Sequence, residues 1–161
     1  MNKLQTIKTK LVEKGYRLSV AESLSSGNIQ SRIGSVSGAT KFFEGGVTVY
    51  SMEQKAKLLN IDKSHAIEVN CVSERVAREM ASGVCELFNT RIGISTTGYA
   101  EPSEEANVEN PFAYFCIWDN VIHKEISSGK IMLDNGTRFG NQLLVTDVII
   151  NKLYASLKTI Q

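Results

Sequence analysis

Val20-Ala21-Glu22-Ser23-Leu24-Ser25-Ser26-Gly27 is the stretch on which the fold of this chain turns. Its first residues continue an apolar run from Leu18, long enough for a buried strand. Three serines and a glycine then crowd into five residues, which is turn chemistry. Ser25 or Ser26 can cap a helix that runs through Ile29 and Ile33. A strand that hands over to a helix through a small-residue turn is the opening unit of an α/β domain.

The remaining periodicity extends that unit in both directions. Leu4, Ile7 and Leu11, closed by Gly15, read as a short amphipathic helix. The helix after the turn stops around Gly34 to Gly38. Phe42 and Phe43 lead through Gly45-Gly46 into a second strand, Val47 to Tyr50, and Met52 to Leu59 reads as a short helix. Ser73 can cap a further helix, in which Val76, Met80, Val84 and Leu87 recur at helical spacing. Ile92 to Thr96 is a buried strand ending at Thr97-Gly98. The polar, aperiodic stretch from Glu101 to Asn110 is a loop. Phe112 to Trp118 and Val121 to Ile126 read as antiparallel strands joined by a tight Asp119-Asn120 turn. Asp134-Asn135-Gly136-Thr137 then opens a long helix, with Phe139, Leu143, Val148 and Leu153 as core candidates. The expected architecture is one domain over residues 1–161, a three-layer α/β/α sandwich with a mixed sheet.

The totals exclude several function classes. Eighteen basic and 17 acidic residues leave a formal charge of +1, so no global field favours nucleic acid or a membrane surface. No run reaches the roughly 18 apolar residues of a membrane span, and the polar first ten residues do not read as a signal peptide. Cys71, Cys85 and Cys116 are odd in number and widely spaced, which suits a reducing cytoplasm better than a disulfide framework. His65 and His123 stand alone, so no metal site is expected. No cofactor is expected either. Assembly as a homo-oligomer is compatible with this size, but no surface is marked for it.

Chemistry concentrates in two segments. Ser23 sits at the strand-to-helix turn, where a helix terminus supplies donors and a positive dipole end for developing negative charge. Lys55 follows Tyr50 and Ser51. A desolvated lysine can serve as the base that a serine nucleophile needs, with Tyr50 relaying a proton between them. Thr97 and Gly98 lie at the end of a strand, where open α/β sheets bind ligands. Arg138, at the start of the last helix, suits a phosphate or carboxylate. Each also has an ordinary reading: a capping serine, a solvated lysine, a core tyrosine, a strand-end turn and a surface arginine.

Together these segments resemble the nicotinamide-nucleotide amidohydrolase family, which is also the carboxy-terminal domain of the CinA competence/damage-inducible proteins. Ala21-Glu22-Ser23-Leu24-Ser25-Ser26-Gly27 is similar to the family's Ala-Glu-Ser-Cys-Thr-Gly-Gly. Gly45-Gly46-Val47-Thr48-Val49-Tyr50-Ser51-Met52-Glu53-Gln54-Lys55 is similar to its Gly-Gly-Val…Tyr-Ser…Lys segment, and Val72-Ser73-Glu74 and Thr97-Gly98 follow in order. The resemblance covers about residues 4 to 157. It implies deamidation of nicotinamide mononucleotide to nicotinate mononucleotide and ammonia. Ser23 would be the nucleophile, Lys55 the base and Tyr50 the relay or orienting group. Ser25, Ser26 and Gly27 amides would receive the oxyanion, Thr97 and Gly98 would hold substrate, and Arg138 would face its phosphate.

The chain departs from the family pattern after Gly98. A glycine-rich loop is replaced by Tyr99-Ala100-Glu101-Pro102 and an acidic stretch, and a family lysine stands as Asn110. Leu24 and Ser26 replace a cysteine and a glycine. If Glu101 faces the site it repels a phosphate, by about 1 kcal/mol per charge pair at 4 Å in water. If the loop swings outward its charges are inert. Two further functions are therefore open. One is a scaffold that binds a nucleotide or partner without turnover; the other is an amidase for a different carboxamide.

Overall fold

The computed structural model describes residues 2–134 and 136–160, so Asn135 lies outside the described residues. Six α-helices and five strands follow in chain order among these residues, with a short 3-10 turn at Ala39–Lys41 between the second helix and the second strand. They are α1 (Lys3–Glu13), β1 (Leu18–Glu22), α2 (Asn28–Gly34), β2 (Phe43–Thr48), α3 (Met52–Leu59), α4 (Lys63–Glu68), α5 (Glu74–Phe88), β3 (Ile92–Tyr99), β4 (Phe112–Asp119), β5 (Lys124–Met132) and α6 (Arg138–Ser156). The strands form one mixed sheet in the order β2-β1-β3-β4-β5. β1 pairs in parallel with β2 and β3, and the β3-β4 and β4-β5 pairs are antiparallel.

Alternation along the strands assigns each face its helices. Leu18 and Val20 of β1, Ile92 and Ile94 of β3, and Phe115 and Ile117 of β4 pack with Leu4, Ile7 and Leu11 of α1, Ile29 and Ile33 of α2, and Val145, Ile149 and Leu153 of α6. On the opposite face, α5 presents Val76, Met80 and Val84 to Ala21 and Val49. Its Ala77 and Ala81 meet Cys116 of β4. This is the expected three-layer α/β/α sandwich.

The topology also fixes where a ligand can sit. The chain leaves β1 through α2 on one face to reach β2. It then returns through α3, α4 and α5 on the other face to reach β3, on the far side of β1. Right-handed crossovers in opposite directions require helices on opposite faces. β1 is therefore the switch point, and the crevice opens at its carboxyl end, where Ser23 follows.

Several boundaries differ from the sequence reading. β2 begins at Phe43 rather than Val47, because its glycines pair directly with β1. α4 had no marked periodicity. The hairpin turn is longer than Asp119-Asn120: Val121 and Ile122 are exposed in it, His123 takes a left-handed φ of 49°, and β5 starts at Lys124. Phe139 is 60% exposed, since α6 buries Val145, Ile149, Ile150 and Leu153 instead. Ser73 does cap α5, accepting from the Val76 N–H at 3.1 Å.

Candidate active site

Glu22, the last residue of β1, is fully buried and organises the turn that follows. Its Oε2 accepts from the Ser25 hydroxyl at 2.6 Å and from the Gly27 and Ile29 amides at 3.0 and 3.1 Å. Its Oε1 accepts from the Gln30 amide at 2.8 Å. A carboxylate thus satisfies donors at the start of α2, the task expected of Ser25 or Ser26. Ser25 is buried, with its Oγ 2.8 Å from Thr96 Oγ1 of β3. The Ser26 amide donates to the Ser23 carbonyl at 3.0 Å. Ser25, Ser26 and Gly27 do not line the cavity beside Ser23. The expectation that their amides receive an oxyanion is therefore corrected: the Ser26 and Gly27 amides are engaged in holding the turn.

That turn presents Ser23 to a side chain from the next crossover. α3 starts under a Ser51 cap, whose Oγ accepts from the Gln54 amide at 3.2 Å, and this places Lys55 one turn into the helix. Lys55 is 2% exposed, and its Nζ lies 3.0 Å from both Ser23 Oγ and the Tyr50 main-chain carbonyl. Burial lowers its pKa below the usual lysine value of 10.5, while the neighbouring Cys71 acts in the opposite direction.

Tyr50 enters differently from the sequence expectation. Its carbonyl accepts from Lys55, whereas its ring is 51% exposed and its hydroxyl accepts from Arg138 Nη2 at 3.0 Å. It does not bridge Ser23 and Lys55. Arg138 does face the cavity, and its Nη1 donates to Glu101 Oε1 at 2.6 Å. Glu101 thus turns toward the site rather than outward. Thr97 is buried, and its hydroxyl donates to the Cys71 carbonyl at 2.6 Å, supporting the cavity wall instead of reaching for a ligand. Gly98 also lines the cavity. A Cβ there would lie 2.3 Å from the Phe112 carbonyl oxygen, so only glycine fits beside β4.

The cavity holds about 380 Å³, within the range of small-molecule sites. Asn70 and Cys71 are among the wall residues that the sequence did not assign to the site. Both adopt left-handed backbone, at φ 49° and 60°, between α4 and α5. Asn70 Nδ2 donates to the Tyr99 hydroxyl at 2.9 Å. Only the asparagine hinted at such a turn, since it tolerates this conformation better than most residues. Cys71 is a second nucleophile type in the cavity. Desolvation raises its pKa above the usual 9.0, with Glu53 adding to this and Lys55 opposing it. A thiol held protonated is a weaker nucleophile than a serine paired with a buried amine.

The profile of the CinA C-terminal domain matches residues 2–137. The chain belongs to the CinA C-terminal domain family. A putative competence-damage inducible protein of Halothermothrix orenii is 34% identical over 148 residues, covering 92% of this chain and 35% of the relative. Another, from Clostridium kluyveri, is 48% identical over 92 residues, which is 57% of this chain and 22% of the relative. The chain thus spans about a fifth to a third of the length of these curated relatives.

Solved CinA-superfamily structures share the fold. One from Klebsiella pneumoniae has a TM-score of 0.86 at 21% identity and covers 99% of both chains. A competence or damage-inducible protein from Enterobacter asburiae has a TM-score of 0.87 at 21% identity, covering 96% of both. The match to the CinA C-terminal domain ends one residue before Arg138, whereas the likeness in shape continues through α6. No helix among the described residues is long and apolar enough to cross a membrane.

Proposed function

We propose that this CinA C-terminal domain is an amidohydrolase that converts nicotinamide mononucleotide to nicotinate mononucleotide and ammonia. The observation that carries the reading is the 3.0 Å approach of the buried Lys55 amine to the Ser23 hydroxyl at the switch point of the sheet. Neutral Lys55 takes the Ser23 proton as Oγ attacks the carboxamide carbon. The carbonyl oxygen becomes an oxyanion, for which the amide of Leu24, next in the chain and at the cavity wall, is a candidate donor. The C–N bond then breaks, and Lys55 returns its proton to the departing ammonia. Water attacks the resulting ester and gives Lys55 a proton, and Ser23 recovers it as the carboxylate leaves. Tyr50 acts as a positioning residue, since its carbonyl orients the Lys55 amine.

A second reading is the same chemistry on a carboxamide without phosphate. The Glu101 carboxylate in the Arg138 fork favours it.

Ammonia release by the purified chain tests the proposal. Ser23→Ala is expected to reduce it by about 10³-fold or more, and Lys55→Met by about 10²-fold or more. Undiminished turnover in both variants sinks the assignment.

A further inference from the structure

The two ends of the cavity differ in chemistry. At one end Ser23 meets Lys55. At the other, Arg138 donates to the Tyr50 hydroxyl through Nη2 and to Glu101 through Nη1. Lys55, Glu101 and Arg138 are the charged residues on the cavity wall. A guanidinium with donors in a fixed fork is the group that proteins use for phosphate and carboxylate. Here the chain supplies the carboxylate itself.

The backbone behind this pair is clamped. Asn141, 1% exposed and one turn along α6 from Arg138, donates through Nδ2 to the Ala100 carbonyl at 2.8 Å and to the Asp134 carbonyl at 2.9 Å. Pro102 follows Glu101 and restricts its backbone. The helix that presents Arg138 thus also holds the residue next to Glu101, so the two side chains meet on fixed supports.

We propose that Glu101 is a specificity-determining residue, an internal anion in the Arg138 fork that weakens the phosphate contact of the mononucleotide and so opens the cavity to the dephosphorylated carboxamide nucleoside as well. This rests on the reading of Ser23 and Lys55 as a carboxamide-hydrolysing pair. A phosphate that reaches Arg138 must part it from Glu101 and then lie beside a like charge. A sugar hydroxyl can donate to Glu101 and accept from Arg138 while both charges stay in place.

Calorimetry on the full chain tests this, in a Ser23→Ala background so that nothing turns over. Both nicotinamide riboside and nicotinamide mononucleotide are expected to bind. Adding Glu101→Gln is expected to tighten the mononucleotide by about fivefold or more and to move the riboside by less than about twofold. Adding Arg138→Gln as well is expected to abolish that gain. Unchanged or weaker mononucleotide binding, equal gains for both ligands, a gain that survives loss of Arg138, or no binding of either ligand overturns the proposal. Absence of ammonia release from the unmodified chain, with this binding pattern intact, overturns only the hydrolase reading.

Discussion

Lys55 Nζ stands 3.0 Å from Ser23 Oγ, although 32 residues separate the two along the chain. The amine is almost fully buried, and burial penalises its charged form. The Tyr50 carbonyl takes one of its hydrogens and fixes its direction. A lysine held this way is suited to accept a proton from the serine hydroxyl.

The depressed pKa gives a pH signature. kcat/KM for carboxamide hydrolysis is expected to rise with pH and level off below 10.5, as Lys55 loses its proton. A profile that is flat from pH 6 to about 10 counts against Lys55 as the base.

Stability carries the same sign. The folded state releases the Lys55 proton before the unfolded state does, so stability rises between the lowered folded pKa and 10.5. Lys55→Met is therefore expected to be more stable than the parent at pH 7, by about 1 kcal/mol, while losing about 10²-fold or more of its activity. Urea unfolding across pH checks this, and the advantage should shrink as pH approaches 10.5. A constant or growing advantage contradicts the burial argument.

Glu22 predicts a structural loss that reaches the site. Glu22→Ala strands the Gly27, Ile29 and Gln30 amides at the start of α2 and removes the acceptor of the Ser25 hydroxyl. The expected cost is about 3 kcal/mol or more, measured by denaturant unfolding, with activity reduced because Ser23 leads into this turn. A cost under about 1 kcal/mol would mean that water replaces the carboxylate.

Cys71 is expected to react slowly with iodoacetamide at pH 7 and faster as pH rises, since its thiol is pushed up by desolvation. Cys71→Ala should retain most of the hydrolytic activity. Rapid alkylation at neutral pH together with loss of turnover in Cys71→Ala would transfer the nucleophile from Ser23 to the thiol.

Ser26 stands at φ 53°, in backbone that a glycine adopts without strain. Ser26→Gly is expected to raise stability by about 0.5–1 kcal/mol, read as a higher thermal midpoint at unchanged kcat. A lower midpoint would show that the serine side chain compensates for its backbone.

Much of this molecule could be read before any fold was known. The strand-turn-helix at Leu18 to Ile33, the Ser73 cap and the apolar stripe of α5 depend on local spacing and capping, which short segments determine by themselves. Ser23, Lys55 and Arg138 stood out by residue type and order. Other features depended on contacts between distant segments. Glu22 became the cap of α2 because β1 ends beneath that helix and no water competes there. Tyr50 turned its hydroxyl to Arg138 because α6 starts across the cavity. Glu101 faces inward because Asn141 ties down its neighbour. Local sequence sets which backbone shapes are cheap; only packing the helices onto both faces of the sheet decided which side chains lose their water and whom they meet.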